Sequence, residues 1–417
     1  MSEPLNATQY IGLAIPAFFF FMIIELILEK VKKKNNYRLA DSMTNISTGI
    51  GSQIVNLFAK ALLVVIFTFV YEHFALFHVP MKWYTGILLL LLFDFCFYWA
   101  HRLGHEVNFL WAAHIVHHQS EEFNLSVALR QPWISDLLTF FVFLPIPILG
   151  FSPEFFVIIA SIDILYQFII HTKYVYKFHP AIEFIFNTPS HHRVHHAVNK
   201  QYIDKNYAGV LIIWDRLFGT FTEEQEEPLF GITTQFKSWN PVWANVHYWV
   251  DLFNLSEKSK RRIDKIRVFF SPPGWQPKEL GGYQPPKEID KTNYTKFDTK
   301  VDDSLKIYVL SHYIILLIIT GIFINFYKDF NSLLECIFPS IVIVFNTAVL
   351  GALTENKQWG KFMEYIRLLV TGVAGIFYCV AYDFRLNHFL IVAIAIALLI
   401  SIVWYRYTSQ KFELQGV

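Results

Sequence analysis

Cysteine is almost absent from this chain of 417 residues. Cys96, Cys336 and Cys379 lie far apart, each inside an apolar stretch. That excludes a disulfide framework and leaves no basis for thiolate metal ligation. An excess of one charge is lacking too: 35 Lys and Arg against 34 Asp and Glu give a formal net charge of +1. The balance excludes the basic footprint of a nucleic-acid partner. Met1 to Tyr10 contains no basic residue, and no small-residue cleavage site follows the first apolar run. That run therefore reads as a retained helix and not as a cleaved leader.

What is present in quantity is apolar and aromatic. Hydrophobic residues make up 54% of the chain, aromatics 18%, and the mean hydropathy is +0.36. A soluble chain is about 45–50% apolar. A membrane span takes about 20 mostly apolar residues. Stretches of that kind cover 11–29, 46–71, 84–100, 134–151, 153–171, 305–327, 333–353, 362–382 and 388–405. Pro145, Pro147, Gly150 and Pro153 interrupt the fourth and fifth, which read either as two spans or as a helical hairpin that enters and returns. The expected fold is an all-α integral membrane protein with about seven to nine transmembrane helices.

Orientation follows from the basic residues Lys30, Lys32, Lys33, Lys34 and Arg38 after the first span, which place that end in the cytoplasm. Counting spans onward puts residues 101–133 and 172–304 on the same face, as a cytoplasmic metal-binding cap. The membrane is then a bacterial inner membrane or the endoplasmic reticulum. Four divisions are expected: amino-terminal transmembrane helices (1–83), a core carrying the histidines (84–230), a cap or linker (231–304) and a carboxy-terminal transmembrane bundle (305–417). Within the third, the basic run Lys258, Lys260, Arg261 and Arg262 reads as a solvated or headgroup-facing surface. The Pro/Gly-rich stretch 271–286 reads as a linker or an irregular packed loop.

The chain has 16 His, and eleven of them lie between His101 and His196. Their spacing carries more information than their number. His101 and His105 stand at i and i+4, one face of a helix that continues the third span. His114, His117 and His118 stand at i, i+3 and i+4, and His192, His195 and His196 repeat that spacing. His191 lies off the stripe. His171 and His179 lie between the second and third groups. Eight imidazoles at ligand spacing exceed what one metal uses. Two metals with four or five nitrogens each would use them and keep a position open for oxygen. Imidazole suits Fe, Zn, Cu and Ni alike, so the donors do not name the metal. Structural zinc is usually four-coordinate and often cysteine-rich, which fits this set poorly. Asp94, Glu106, Glu121, Glu122, Asp136, Asp163 and Asp204 are available to orient the rings. Asp94 and Asp163 lie within apolar spans, where an ionisable group is costly. Each reads either as a buried partner of a ligand or an arginine, or as a helix–helix hydrogen bond.

The pattern HxxxH, HxxHH, HxxHH between membrane spans resembles the fatty acid hydroxylase and sterol desaturase superfamily of membrane di-iron enzymes. The eight histidines match its boxes one by one, and His171 matches a further ligand position of that family. Within the superfamily, residues 101–108, 124–131, 187–196 and 203–221 are similar to the alkylglycerol monooxygenase branch. The resemblance implies two irons, dioxygen and a membrane lipid substrate. It implies an electron donor as well, tetrahydrobiopterin in that branch, and cleavage of an ether lipid. The pterin is implied by the resemblance alone. Glu106 and Arg193 are the candidate catalytic side chains, with Glu106 also a candidate pterin contact. Arg102, Arg130 and Arg193 are candidate holders of an anionic headgroup, an oxygen ligand or a carboxylate. Two other readings stay open at this point. One is a sterol, fatty acid or carotenoid hydroxylase or desaturase of the same superfamily. The other is a histidine-rich metal transporter, although transport sites favour the bilayer midplane.

Overall fold

The computed structural model describes residues 7–327, 330, 332–381 and 387–414. Residues 1–6, ahead of the first expected span, and residue 382 of the expected span 362–382 lie outside the described residues. The chain is 69% helical, and no strand occurs among the described residues. One isolated antiparallel bridge joins Ala197 to Phe230. Seven helices among the described residues are long and apolar enough to cross a membrane.

In chain order the amino-terminal helices are α1 (Ala7–Lys32), α2 (Leu39–Phe74), α3 (Trp83–Glu106), α4 (Asn108–His118), α5 (Leu125–Ala128), α6 (Ser135–Thr139), α7 (Pro145–Ile148) and α8 (Pro153–Ile170). After these come α9 (Pro180–Ile185), α10 (Pro189–His195), α11 (Ile213–Phe218), α12 (Pro241–Lys258) and α13 (Arg262–Phe270). The last four are α14 (Asp303–Phe326), α15 (Ile337–Thr354), α16 (Gln358–Ala381) and α17 (Asn387–Leu414). Residues 1–236 with 244–296 form one compact unit, and 237–243 with 297–417 form another.

The first unit brings several helix ends to one place. The end of α1 arrives there through Glu25, which accepts from Leu125 N at 2.8 Å and from the Thr172 hydroxyl at 2.5 Å. The start of α2 arrives through Asp41, which accepts from the Ser120 hydroxyl at 2.7 Å. The ends of α3 and α8 carry His101, His105 and His171. The basic α1–α2 connection is at the same end: Arg38 Nε donates to Glu122 at 2.6 Å, and Asn124 Nδ2 donates to the Asn36 carbonyl at 2.6 Å. The basic connection and the histidine-bearing helix ends therefore meet in one place.

The 134–151 stretch is not one helix. Proline lacks an amide hydrogen and clashes with the preceding turn. Pro145 and Pro147 accordingly leave only α6, a 3-10 turn at Phe140–Phe143, and α7. The pieces still run the length of α2. Trp133 Nε1 donates to the Thr48 carbonyl near one end, and Leu76 N and Val79 N donate to Ile148 O and Gly150 O beyond the other. Phe67, Leu89, Phe93, Ile146, Phe155 and Ile159 pack in the core this creates. Helix α8 then starts cleanly, with Pro153 in its first turn and the Ser152 hydroxyl accepting from Phe155 N.

The second unit is built from α14–α17. An ionic pair is buried in it: Arg367 Nε donates to Glu364 at 2.6 Å and Nη1 donates to Asn346 at 2.8 Å. The Tyr308 hydroxyl donates to the same Glu364. The two charged heads thus have partners, as burial in an apolar bundle demands.

Gly150 has φ +93°, and a Cβ there would stand 1.8 Å from the Phe77 carbonyl oxygen. Gly219 has φ +74° with nothing within 4 Å of a Cβ. Gly150→Ala is expected to lower the melting temperature by more than ten degrees or to abolish folding. Gly219→Ala is expected to cost only the about 1 kcal/mol of a left-handed alanine. Thermal unfolding of both variants in detergent checks this, and equal losses would contradict the packing at Phe77.

Candidate metal centre

Nine histidines converge at the helix ends of the first unit. Helix α3 supplies His101 and His105, and α4 supplies His114, His117 and His118. His171 caps α8, and α10 supplies His192 and His195 with His196 as its cap. All are buried except His114, which is half-buried. They divide into two groups: His101, His105, His114, His118 and His195, and then His117, His171, His192 and His196. Within each group one nitrogen per ring lies within 4.8 Å of all the others. The groups adjoin, with the rings of His118 and His196 stacked at 4.5 Å.

Backbone carbonyls fix the rings. Nδ1 of His101 donates to Tyr207 O at 2.7 Å, that of His117 to Arg130 O at 3.0 Å, that of His171 to Gln167 O at 2.6 Å and that of His195 to Lys205 O at 2.9 Å. A carbonyl only accepts, so each of these Nδ1 atoms carries the proton and each Nε2 is a bare lone pair. Yet Nε2 of His117 and Nε2 of His171 face each other at 3.4 Å. Neither has a proton to share, so the contact repels unless a cation stands between them. Nε2 atoms of His101 and His114 approach to 3.0 Å, those of His171 and His192 to 2.9 Å, and those of His192 and His196 to 3.1 Å. Nitrogens about 2.1 Å from one ion stand about 3.0 Å apart at a right angle and about 3.4 Å apart at the tetrahedral angle. Nε2 of His105 and Nε2 of His195 are buried with no hydrogen-bond partner. Lone pairs that converge and lack protons are the donor set of a metal site, and the residues fit one ion in each group.

Electrostatics agree. Burial, and then mutual repulsion, holds His114, His118, His192, His195 and His196 well below the ordinary imidazole range. Burial lowers His117 to about 4. The rings are therefore neutral near neutral pH, the state that binds metal.

The carbonyls are held in turn. Asp215 accepts from Tyr207 N at 2.8 Å and Ala208 N at 2.9 Å, which fixes the loop whose Tyr207 carbonyl takes His101. Asp94 of α3 accepts from Val210 N at 2.7 Å, Leu211 N at 2.9 Å and Trp214 Nε1 at 2.9 Å. Asp94 thus anchors a loop; neither a ligand imidazole nor an arginine is its partner. Asp163 accepts from Gln167 within α8. A Cβ on Gly209 would lie 2.8 Å from both aspartates, so only glycine lets that loop pass between them.

Arg130 is fully buried, and its head donates to Val116 O at 2.7 Å, Asn45 Oδ1 at 3.0 Å and Gln119 Oε1 at 2.6 Å. Burial lowers it to about 10, so it stays charged at neutral pH. Arg193 makes a two-point contact with Glu224 at 2.9 and 2.7 Å and donates to the carbonyls of Thr172, Val175 and Tyr176. Arg102 and Glu106 pair with each other at 2.8 Å on an exposed side of α3. Asp204 stands 3.7 Å from Nδ1 of His105. Glu121 and Glu122 both meet Arg38, and Asp136 is exposed. His191 accepts from Thr188 N at the start of α10 and faces Glu183 at 3.0 Å, so its ring caps a helix. His179 accepts from Ala181 N at the start of α9.

Sequence reasoning missed Glu25, Asp41, Asn45, Glu183 and Asp215. Glu25 carried a readable signal, since it is an acid inside an expected span, like Asp94 and Asp163. The others had none beyond their place in polar stretches.

Apolar helices long enough to cross a membrane, ending beside two convergent groups of neutral imidazoles that could hold metal, make up a membrane protein with a candidate metal centre. The fatty acid hydroxylase family model matches residues 86–220, which carry every histidine of both groups. Alkylglycerol monooxygenase from Homo sapiens is 33% identical over 371 residues, covering 87% of this chain and 81% of that protein. The Xenopus tropicalis protein of the same name is 36% identical over 372 residues, covering 88% and 82%. Ornithine lipid hydroxylase from Rhizobium tropici is 31% identical over 146 residues, covering 34% and 44%. No solved structure matches the chain. The chain belongs to the alkylglycerol monooxygenase family.

In the metal-free protein the rings titrate below their unfolded value of about 6.5. Between that value and the folded one the unfolded chain binds more protons, so stability falls as pH drops from about 6.5 toward 4. The melting temperature of metal-free protein is expected to fall steeply between about pH 7 and pH 5, and that of metal-loaded protein much less, because a bound ion excludes the proton. Parallel pH slopes in the two forms would contradict the ligand assignment.

Proposed function

We propose that this protein is a lipid monooxygenase of the fatty acid hydroxylase superfamily that cleaves the ether bond of alkylglycerols, using dioxygen and two irons. The observation that carries the reading is the pair of imidazole groups that turn bare nitrogens inward at neighbouring helix ends of a chain in this family. Its nine ligands are His101, His105, His114, His118 and His195 for one ion, and His117, His171, His192 and His196 for the other. Iron supplies the redox chemistry of dioxygen that no side chain can. The reaction inserts one oxygen atom into the C–H bond beside the ether oxygen. The other leaves as water, with two electrons from the donor. The resulting hemiacetal collapses to a fatty aldehyde and a glycerol or glycerol derivative.

The residues around the ions have separate tasks in this reading. The carbonyls of Tyr207, Arg130, Gln167 and Lys205 hold each ring with its lone pair inward. Arg193 acts as a positioning residue, because its contacts fix residues 172–176 next to His171. Glu106 is the proposed pterin contact, since it is exposed and adjoins His105. The alkyl chain lies among the spans with its polar head beside the irons. The centre faces the cytoplasm of a bacterial inner membrane or the endoplasmic reticulum, which the basic segment at the same helix ends supports.

The test is fatty aldehyde release from an alkylglycerol by iron-loaded protein with oxygen, with and without tetrahydrobiopterin. Aldehyde is expected only with the pterin, and none from His117→Ala. Glu106→Gln is expected to raise the apparent pterin KM about tenfold or more, the worth of a hydrogen bond to a charged group. Iron-replete protein that forms no aldehyde in either condition would overturn the ether-cleaving reading. Aldehyde formed equally without the pterin would overturn the choice of donor.

A further inference from the structure

Two helices of the expected cap or linker, residues 231–304, are two-faced. Helices α12 and α13 bury Leu252 and Val268 against Ala112 of α4. Their other faces are apolar and exposed. On α12 the exposed stripe is Val246, Val250 and Phe253, at i, i+4 and i+7; on α13 it is Ile263, Ile266 and Phe270, at i, i+3 and i+7. Exposure runs from 36% at Val250 to 66% at Phe270, too much apolar surface to leave in water without a partner. The connection between the helices is basic, with Lys258, Lys260 and Arg262 exposed. The hairpin also adjoins the membrane end of the core. Asn245 Oδ1 accepts from Trp133 N, where the chain turns down along α2, and Asn108 Nδ2, two residues past α3, donates to Val268 O.

We propose that α12 and α13 lie in the interface of the bilayer, with their apolar stripes in the acyl layer and Lys258, Lys260 and Arg262 on anionic headgroups. Helices of this composition partition in that way. The bilayer is the fitting occupant because the chain already spans it, and because the cations flank the stripes as anionic headgroups require. The hairpin packs on α4, which carries three ligands, so its depth sets that of the metal centre relative to the lipid.

The full chain in nanodiscs of phosphatidylcholine, with or without phosphatidylglycerol, provides the test. The three native cysteines are buried, so an environment-sensitive dye can be placed singly at Val250→Cys or Ile266→Cys, with Lys265→Cys on the opposite face of α13 as control. Dyes at 250 and 266 are expected to emit blue-shifted light and to be quenched at least threefold more by spin-labelled lipid than the dye at 265. In phosphatidylglycerol discs, Lys258→Gln/Lys260→Gln/Arg262→Gln is expected to halve the quenching at 266 with metal content unchanged. Equal access of aqueous iodide to all three positions would overturn the interfacial assignment. Energy transfer between dyes on two copies, without quenching by lipid, would overturn it in favour of a self-association surface. Undiminished quenching in the triple variant would overturn the role given to the cations.

Discussion

The arrangement rests on bare imidazole nitrogens that are forced together out of water. Each of four rings donates its one proton to a backbone carbonyl, which leaves its other nitrogen as a lone pair pointing inward. Lone pairs at 3.4 Å repel, and buried polar atoms without partners cost stability. A cation in each group removes both penalties at once. The surrounding polar network makes sense as the device that holds the rings there before the cation binds. Asp215 and Asp94 pin the 207–211 loop, Arg130 ties α2 to α4, and Arg193 ties α10 to the residues after His171.

The membrane helices serve the same end. Metal ligands need rigid elements to stay within fractions of an ångström of a working geometry. Helices α3 and α8 present the candidate ligands at their ends, while α1 and α2 contribute Glu25, Asp41 and Asn45 to the supporting hydrogen bonds. The break in 134–151 does not prevent this, because its two ends are hydrogen-bonded to residues near opposite ends of α2. Among the described residues, the carboxy-terminal helices supply no candidate ligand. Their buried Glu364–Arg367 pair is fully partnered and reads as a device for fixing helix register.

Much of this was legible because helical periodicity is a strong signal. Spacings of three and four put His114, His117 and His118 on one face, as they put His192, His195 and His196. The prolines at 145 and 147 foretold the broken helix. His171 was readable only through family resemblance, since a single histidine at a helix end has no spacing to mark it. The carbonyls of Tyr207, Arg130 and Lys205 were not readable at all, because every residue has a carbonyl and only the fold decides where it points. Asp94 was flagged as a costly buried acid, but its partners proved to be amides 116 and 117 positions along the chain. The apolar stripes of α12 and α13 were hidden inside a segment that is polar on average.

The most direct measurement is the iron content of the purified protein, by mass spectrometry of the metal and Mössbauer spectroscopy of its sites. Two irons per chain are expected, falling to one when His101 and His114 are both replaced by alanine and the second group is left intact. A single iron per chain in the unaltered protein, or unchanged content in that double variant, would contradict a centre built from two separate imidazole groups.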